Sequence, residues 1–181
     1  QGDETLSAQV KITLDFPRQL ITPKMMLTAA LDTIVLIRER TVGGRDAMDK
    51  PFAGYSTTPI YISKKAFPKP RGGTPKNKTV FYSGGYKQYK KESRQPGTVG
   101  TRKNQRAKKP TAEVDLTRTG LMLNSIKPID YYDRGFSLGI MGPAQKYAVY
   151  VNQKRFFMGL SPKDMKIIGK LLKAQVMRRL N

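Results

Sequence analysis

The chain contains no cysteine and no histidine among its 181 residues. Without cysteine it can form no disulfide, bind no metal through thiolates and use no thiol nucleophile. Without histidine it lacks the usual imidazole base of hydrolytic triads and the commonest nitrogen ligand of zinc. These two absences exclude most hydrolase mechanisms, so we expect no catalytic residues, no metal site and no cofactor.

Acidic residues are scarce relative to basic ones. The chain has 13 Asp and Glu against 34 Lys and Arg, a formal net charge of +21. This excess is larger than solubility requires, and it implies a nearby polyanion or acidic protein surface. Nucleic acid is the usual partner of so basic a chain, and a solvated basic loop is the alternative interpretation.

Long apolar runs are also missing. Thr28, Asp32 and Thr33 interrupt the longest one, so it falls short of the roughly 20 apolar residues that a membrane-spanning helix needs. We therefore expect no membrane partner.

The first elements that the pattern predicts are a strand and a long helix. Apolar residues alternate with polar ones from Leu6 to Phe16, which is typical of a strand with one buried face. Thr22 is suited to cap a helix with Pro23 at its first position, so we predict a helix from Pro23 to Thr41. Its apolar residues cover more than one face, so this helix should be central and contact a neighbouring subunit as well as its own sheet.

The stretch from Thr41 to Ser56 is predicted to be a loop. Its carboxylates Asp46 and Asp49 lie beside Arg45 and Lys50, which favours a turn or salt bridges over a metal site. A metal-dependent nuclease is a third hypothesis for the function, built from Asp46, Asp49, Glu113 or Asp115 with a lysine. Such enzymes need several carboxylates that converge on one or two metal ions, and no such arrangement is recognisable here.

The middle of the chain is strongly basic. Residues 64–109 contain 15 Lys and Arg and a single acidic residue, Glu92. We predict one domain over residues 1–181, in which residues 64–110 form a basic, largely irregular insertion. The candidate contacts to phosphates or to an acidic partner are Lys87, Lys90, Lys91, Arg94, Arg102, Lys103, Arg106, Lys108 and Lys109.

Apolar side chains interrupt this basic segment at Val80, Phe81, Tyr82, Tyr86 and Tyr89. They predict a short ordered piece near Thr79 to Lys91. Aromatic rings between lysines can stack on the bases of a single strand. We favour the other interpretation, in which the rings dock the segment onto the rest of the domain.

The last third of the chain alternates between helix and strand signals. Val114 and Leu116 suggest a short extended segment, and a helix is predicted from Thr119 or Gly120 through Ile126, closed by Pro128. A hairpin is predicted to follow, with strands around Ile129 to Tyr131 and Phe136 to Ile140 and a turn at Asp133 to Gly135. Residues 144–151 then predict a short helix.

The final helix is predicted to begin at Ser161, with Pro162 in its first position and Asp164 in its first turn. Its expected buried stripe is Met165, Ile168, Leu171, Leu172, Gln175, Val176 and Leu180, and its cationic face is Lys163, Lys166, Lys170, Lys173, Arg178 and Arg179. The predicted fold class is α+β: a small antiparallel sheet packed against a long central helix and a C-terminal helix, with a long basic loop insertion.

Several short motifs, taken in order, carry a resemblance to a known family. They are IRERT at 37–41 followed by Gly44, Asp46, residues 50–52 and residues 55–56, then GGYKQYK at 84–90, VDLTRTGLMLNSI at 114–126, YAVYVN at 147–152 and RFFMGLSPKD at 155–164. In their order and spacing these motifs resemble the tail-completion, or head-to-tail joining, proteins of tailed bacteriophages, known as phage virion morphogenesis proteins.

The resemblance implies a structural virion protein without catalytic residues. Members of this family form a ring, usually sixfold, at the neck between the head connector and the top of the tail. The implied partners are further copies of the chain, head connector or head-closure proteins, tail tube or tail terminator proteins, and DNA in the lumen of the ring. The implied location is the neck of the virion, after assembly in the host cytoplasm.

We expect the apolar helix from Pro23 to Thr41 and the loop from Thr41 to Ser56 to make the subunit contacts. The residues that we single out as interface or anchor residues are Arg40, Phe52, Tyr55 and Tyr86. An alternative function is non-sequence-specific nucleic-acid binding through residues 64–109 and the last helix. That function would make binding fall steeply with salt, because each phosphate contact releases counterions.

Overall fold

The structure is a computed structural model, and it describes residues 9–13, 20–63, 79–93, 114, 116 and 120–180. In chain order the elements are β1 (Gln9–Thr13), α1 (Pro23–Val42), β2 (Ile60–Ser63), β3 (Thr79–Tyr82), α2 (Gly85–Ser93), α3 (Leu121–Asn124), β4 (Ile126–Tyr132), β5 (Gly135–Ile140), a 3-10 turn (Gly142–Ala144), α4 (Gln145–Lys154) and α5 (Pro162–Leu180). The chain divides into two compact units, the first Gln1–Phe52 with Asp115–Asn181 and the second Ala53–Val114. The fold is the predicted α+β class.

The first unit contains a three-stranded antiparallel sheet in the order β1-β5-β4. Strands β4 and β5 form the predicted hairpin, and β1 pairs with the other edge of β5. Alternation along β5 turns Phe136, Leu138 and Ile140 to one face, where all three are buried. Ile12 of β1 joins them, so this face of the sheet forms one wall of the core.

Helix α1 covers that wall, in contact with β4, β5 and α5. It begins as predicted: the Thr22 hydroxyl accepts a hydrogen bond from the amide of Met25 at 3.3 Å, and Pro23 occupies the first turn. Its buried face includes Met26, Ala30 and Ile37, at spacings typical of one side of a helix. The helix therefore has a well-defined core side.

Helix α5 packs against α1 and contributes to the same core. It buries Ile168, Leu172 and Val176, which lie four residues apart on one face. The predicted stripe was too wide, because Met165, Leu171 and Leu180 are 42 to 62% exposed. These three residues were assigned to the buried stripe because they are apolar. Only the positions that recur every four residues from Asp164 face the core.

The predicted helix up to Ile126 was too long. Helix α3 ends at Asn124, and Ile126 is the first residue of β4, where it pairs with Ile140. Pro128 lies inside that strand and does not end a helix. The pairing shifts between Pro128 and Asp130, so that Ile129 forms a β-bulge at this edge of the sheet, where a proline is tolerated.

The second unit has a two-stranded antiparallel sheet, β2 with β3, and helix α2 packed against β3. Tyr82 of β3 and Tyr89 of α2 are buried there, with ring centroids 5.4 Å apart. The ordered piece predicted near Thr79 to Lys91 is thus confirmed as strand and helix. Residues 64–78 and 94–110, which the prediction makes irregular, lie outside the described residues. Of the predicted extended segment that follows, Val114 and Leu116 are described.

Among the described helices, none combines the length and the apolar character that crossing a bilayer requires.

Candidate functional site

Arg40, in the last turn of α1, is the central side chain of a buried polar cluster in the first unit. It is 8% exposed. One guanidinium nitrogen, Nη1, pairs with the Asp164 carboxylate of α5. The other, Nη2, donates to the carbonyl oxygens of Phe157 at 2.9 Å and Gly159 at 2.8 Å. One side chain therefore joins the end of α1 to Phe157, Gly159 and Asp164. We call this cluster the Arg40 lock.

Asp164 makes hydrogen bonds within its own helix start in addition to its ion pair with Arg40. Its carboxylate accepts from the Ser161 amide at 3.0 Å, and the Ser161 hydroxyl accepts from the Asp164 amide at 3.1 Å. This reciprocal pair is a capping box, and it lies at the helix start that the sequence predicted. The same carboxylate then satisfies a buried arginine, a role that no local pattern predicted because 124 residues separate the two side chains.

Two loops lie beside the Arg40 lock, one after α1 and one between α4 and α5. Hydrogen bonds join these loops to each other and join the second loop to α4. The Ala47 amide donates to the carbonyl oxygen of Phe156 at 2.6 Å. Oδ1 of Asn152, on α4, accepts from the amides of Phe157 and Met158 at 3.1 and 2.8 Å. The resembling segments at 37–46 and 155–164 thus meet at one buried guanidinium, and Asn152 of the segment 147–152 holds the loop that supplies its carbonyl acceptors.

Asp46 serves the turn after α1, as the sequence favoured. Its Oδ1 accepts from the amides of Met48 and Lys50, both at 2.8 Å, which closes an Asx-type turn. Asp49 has a left-handed backbone at φ 64°, and its carbonyl oxygen accepts from Arg45. No group of three or more acidic residues of the described chain is placed to hold a metal ion. Glu113 and Asp115 lie outside the described residues.

The other residues proposed as anchors occupy different units. Phe52 is half-buried and packs against the core of the first unit, where its amide donates to the Gly44 carbonyl oxygen at 2.8 Å. Tyr55 and Tyr86 belong to the second unit, and their ring centroids are 5.3 Å apart. Tyr86 also contacts Tyr89 at 5.6 Å, so the tyrosines of the basic segment form an internal aromatic cluster of this unit.

The proposed basic contacts divide into three groups. Lys87 and Lys91 are exposed on α2. Lys90 is only 4% exposed: its ammonium donates to the Tyr55 hydroxyl and lies 4.2 Å from the centroid of that ring. Lys90 therefore acts inside the second unit and does not belong to an exposed phosphate-binding surface. The remaining candidates lie outside the described residues, and they are Arg94, Arg102, Lys103, Arg106, Lys108 and Lys109.

Exposed apolar side chains form a second feature of the first unit. Leu31 and Val35 lie one turn apart on α1 and are 50% and 49% exposed, on the side of the helix away from its buried residues. The sequence predicted a helix with apolar side chains on more than one face, and this ridge is its second apolar face. Further exposed apolar residues on this unit are Met48, Leu121, Ile129, Tyr131, Met141, Tyr147, Tyr150, Phe156, Met165, Leu171, Met177 and Leu180.

Desolvation raises the pKa of Tyr147, on α4, above its ordinary value of 10.0.

An aromatic pair in the second unit was missed at the sequence level. Tyr61 of β2 and Phe81 of β3 are directly opposite in the strand register, with ring centroids 4.9 Å apart. The signal was present in the sequence, because Tyr61 stands between Ile60 and Ile62 and alternation would place it on the opposite face.

Comparison of the chain with models of protein families, with curated proteins and with solved structures finds no match.

Proposed function

We propose that this chain is a structural subunit of the neck of a tailed bacteriophage, with no enzymatic activity. In this role it forms a ring of six copies that completes the tail and joins it to the head connector. The observation that carries the proposal is the apolar ridge of α1, Leu31 and Val35, which the fold of the first unit leaves half exposed. Exposed apolar patches on a folded protein mark interaction surfaces.

The arrangement of the resembling motifs supports the proposal. Their polar residues serve structural ends in this chain: Arg40 and Asp164 join two helices, and Asp46 closes a turn. Such residues are required to hold a shape, not to perform a reaction. A family signature made of shape-determining residues is what a structural subunit needs.

A closed ring also explains why apolar residues are exposed in several places on the first unit. In a head-to-tail ring each subunit uses two different patches, one toward each neighbour. The α1 ridge supplies one candidate patch. Leu171 and Met177, on α5, are 42% and 50% exposed and supply apolar area for another contact.

The net charge of +21 fits a location beside DNA or beside acidic connector and tail proteins. Contacts of lysine and arginine with phosphates need no sequence preference, which suits a ring that surrounds DNA in its lumen. Lys87 and Lys91 are exposed members of that basic set.

Assembly of the purified chain tests this function. We expect Leu31→Glu/Val35→Glu to abolish ring formation, alone or on added tail proteins, because two charges would have to be buried at each contact. Mass determination by light scattering and negative-stain images measure it. Leu121→Glu/Met141→Glu is the matched control, because these apolar residues are 48% and 49% exposed and lie outside α1, α5 and the loop after α1; it should still form rings.

Two results would overturn the proposal. One is a wild-type protein that stays monomeric at high concentration and does not associate with tail or connector proteins. The other is a Leu31→Glu/Val35→Glu variant that assembles as well as the wild type, which would show that the α1 ridge is not an interface.

A further inference from the structure

The outward face of the second unit's sheet presents two adjacent aromatic rings to solvent. Tyr61 is 74% exposed and Phe81 is 52% exposed. They are cross-strand partners with centroids 4.9 Å apart and ring planes inclined at 41°. Rings this close form one continuous aromatic surface across both strands.

Among the described residues, the packing of the second unit makes no use of these rings. Strand alternation directs Ile60, Ile62, Val80 and Tyr82 to the opposite face of the same sheet. Tyr82 packs there edge-on against Tyr89 of α2. The apolar contacts that hold this unit together therefore lie on the inner face, and the Tyr61–Phe81 pair remains exposed.

The size of the pair limits what can bind to it. An aromatic side chain buries about 150–250 Å² when fully covered, so two rings at these exposures offer about 250 Å². A stable protein interface needs about 800 Å² from each partner. Among the described residues of this unit only Tyr86 adds another exposed large apolar side chain, whereas the first unit exposes several more beside Leu31 and Val35. Stacking a nucleotide base needs only the face of one ring. The area therefore favours a small planar ligand over a protein surface.

The charge of the second unit determines the class of that ligand. Its residues 53–114 contain 15 Lys and Arg against two Glu, and Lys87 and Lys91 are exposed on α2. A second copy of the chain would bring the same positive charge to this face. A single-stranded nucleic acid is attracted through its negative charge, and its bases are free to stack on the two rings. In a duplex the bases are already stacked on one another.

We propose that the Tyr61–Phe81 pair is a stacking site for the bases of a single-stranded nucleic acid, whose phosphates are attracted by the net positive charge of residues 53–114. This site is distinct from the subunit contacts of the first unit. It does not require the chain to assemble into a ring.

Fluorescence anisotropy with labelled oligo-dT and with a duplex of equal length tests the site on the full chain. We expect the wild type to bind the single strand more tightly than the duplex. Tyr61→Ala/Phe81→Ala should weaken single-strand binding about tenfold or more, because each stacked base is lost with its ring. Tyr61→Phe and Phe81→Tyr keep an aromatic ring, so each should bind as the wild type does.

The matched control is Ile129→Ala/Tyr131→Ala, a pair on the first unit in which each residue is 44% exposed, and it should leave the affinity unchanged. Lys87→Gln/Lys91→Gln should instead lower the salt dependence of binding. The proposal is overturned if the duplex binds as tightly as the single strand, or if Tyr61→Ala/Phe81→Ala binds as the wild type does. Equal binding of polyglutamate would overturn it as well, since an acidic chain without bases would then suffice.

Discussion

At the scale of single residues, Arg40 carries the largest structural consequence. A buried guanidinium is expensive to desolvate unless its donors are paired. Here a carboxylate and two carbonyl oxygens, from α5 and the loop before it, pair with Nη1 and Nη2, whereas Nε has no partner among the described residues. Because these partners lie far away along the chain, the Arg40 lock holds the end of α1 against the start of α5.

Replacement of Arg40 by methionine should destabilise the protein by about 3–5 kcal/mol, because the Asp164 carboxylate stays buried without its partner. Urea denaturation followed by circular dichroism measures the loss. Arg178→Met, at an exposed residue of α5, is the control, and it should change stability by less than about 0.5 kcal/mol.

The double variant Arg40→Met/Asp164→Leu separates the charge effect from simple loss of contacts. With both charges removed it should be no less stable than Arg40→Met alone, although its capping box is lost as well. A double variant that loses the sum of two large single effects would show that the two charges do not act as a pair.

At the scale of elements, glycine has opposite roles in β5 and in α5. A Cβ at Gly135 would lie 2.1 Å from the carbonyl oxygen of Ile12, so β1 can approach β5 only where this side chain is absent. A Cβ at Gly169, in α5, would meet no atom within 4 Å. The same residue type is therefore required in the strand and dispensable in the helix.

The same substitution should thus have opposite effects at these two sites. Gly135→Ala should destabilise by about 1–3 kcal/mol, because the two paired strands must separate. Gly169→Ala should stabilise by about 0.5–1 kcal/mol, because alanine loses less backbone entropy than glycine in a helix. Urea midpoints of both variants check this, and shifts of the same sign would contradict it.

At the scale of the whole molecule, the chain contains two compact units with separate apolar centres. Every residue of the main core cluster lies outside residues 53–114. The second unit has its own buried residues, among them Tyr82 and Tyr89. Among the described residues, none of those in the basic segment contributes to the core of the first unit.

Replacement of residues 53–114 by a Gly/Ser linker of about 20 residues should leave the first unit folded. We expect retained helical circular dichroism and one cooperative thermal transition. A non-cooperative melt would contradict the independence of this core. Removal of residues 64–109 alone should be worse tolerated, because it deletes β3 and leaves β2 as an unpaired strand that favours aggregation.

Much of this fold was determined locally and could be predicted from the sequence. Thr22 and Pro23 mark the start of α1, and Ser161, Pro162 and Asp164 mark the start of α5, because capping depends on residues within one turn. The β4–β5 hairpin followed from alternation on each side of a turn. The absence of histidine and cysteine likewise limited the chemistry of the chain without any structure.

Only the tertiary structure decided which side chains are covered. It buries Arg40 and Lys90, two cations that sequence reasoning assigned to contacts with partners, and it exposes Leu171 and Phe81, which that reasoning assigned to packing. Local pattern fixes where an element begins and which residues share its face. Burial depends on which distant segment lies opposite that face, as Asp164 does for Arg40 across 124 residues.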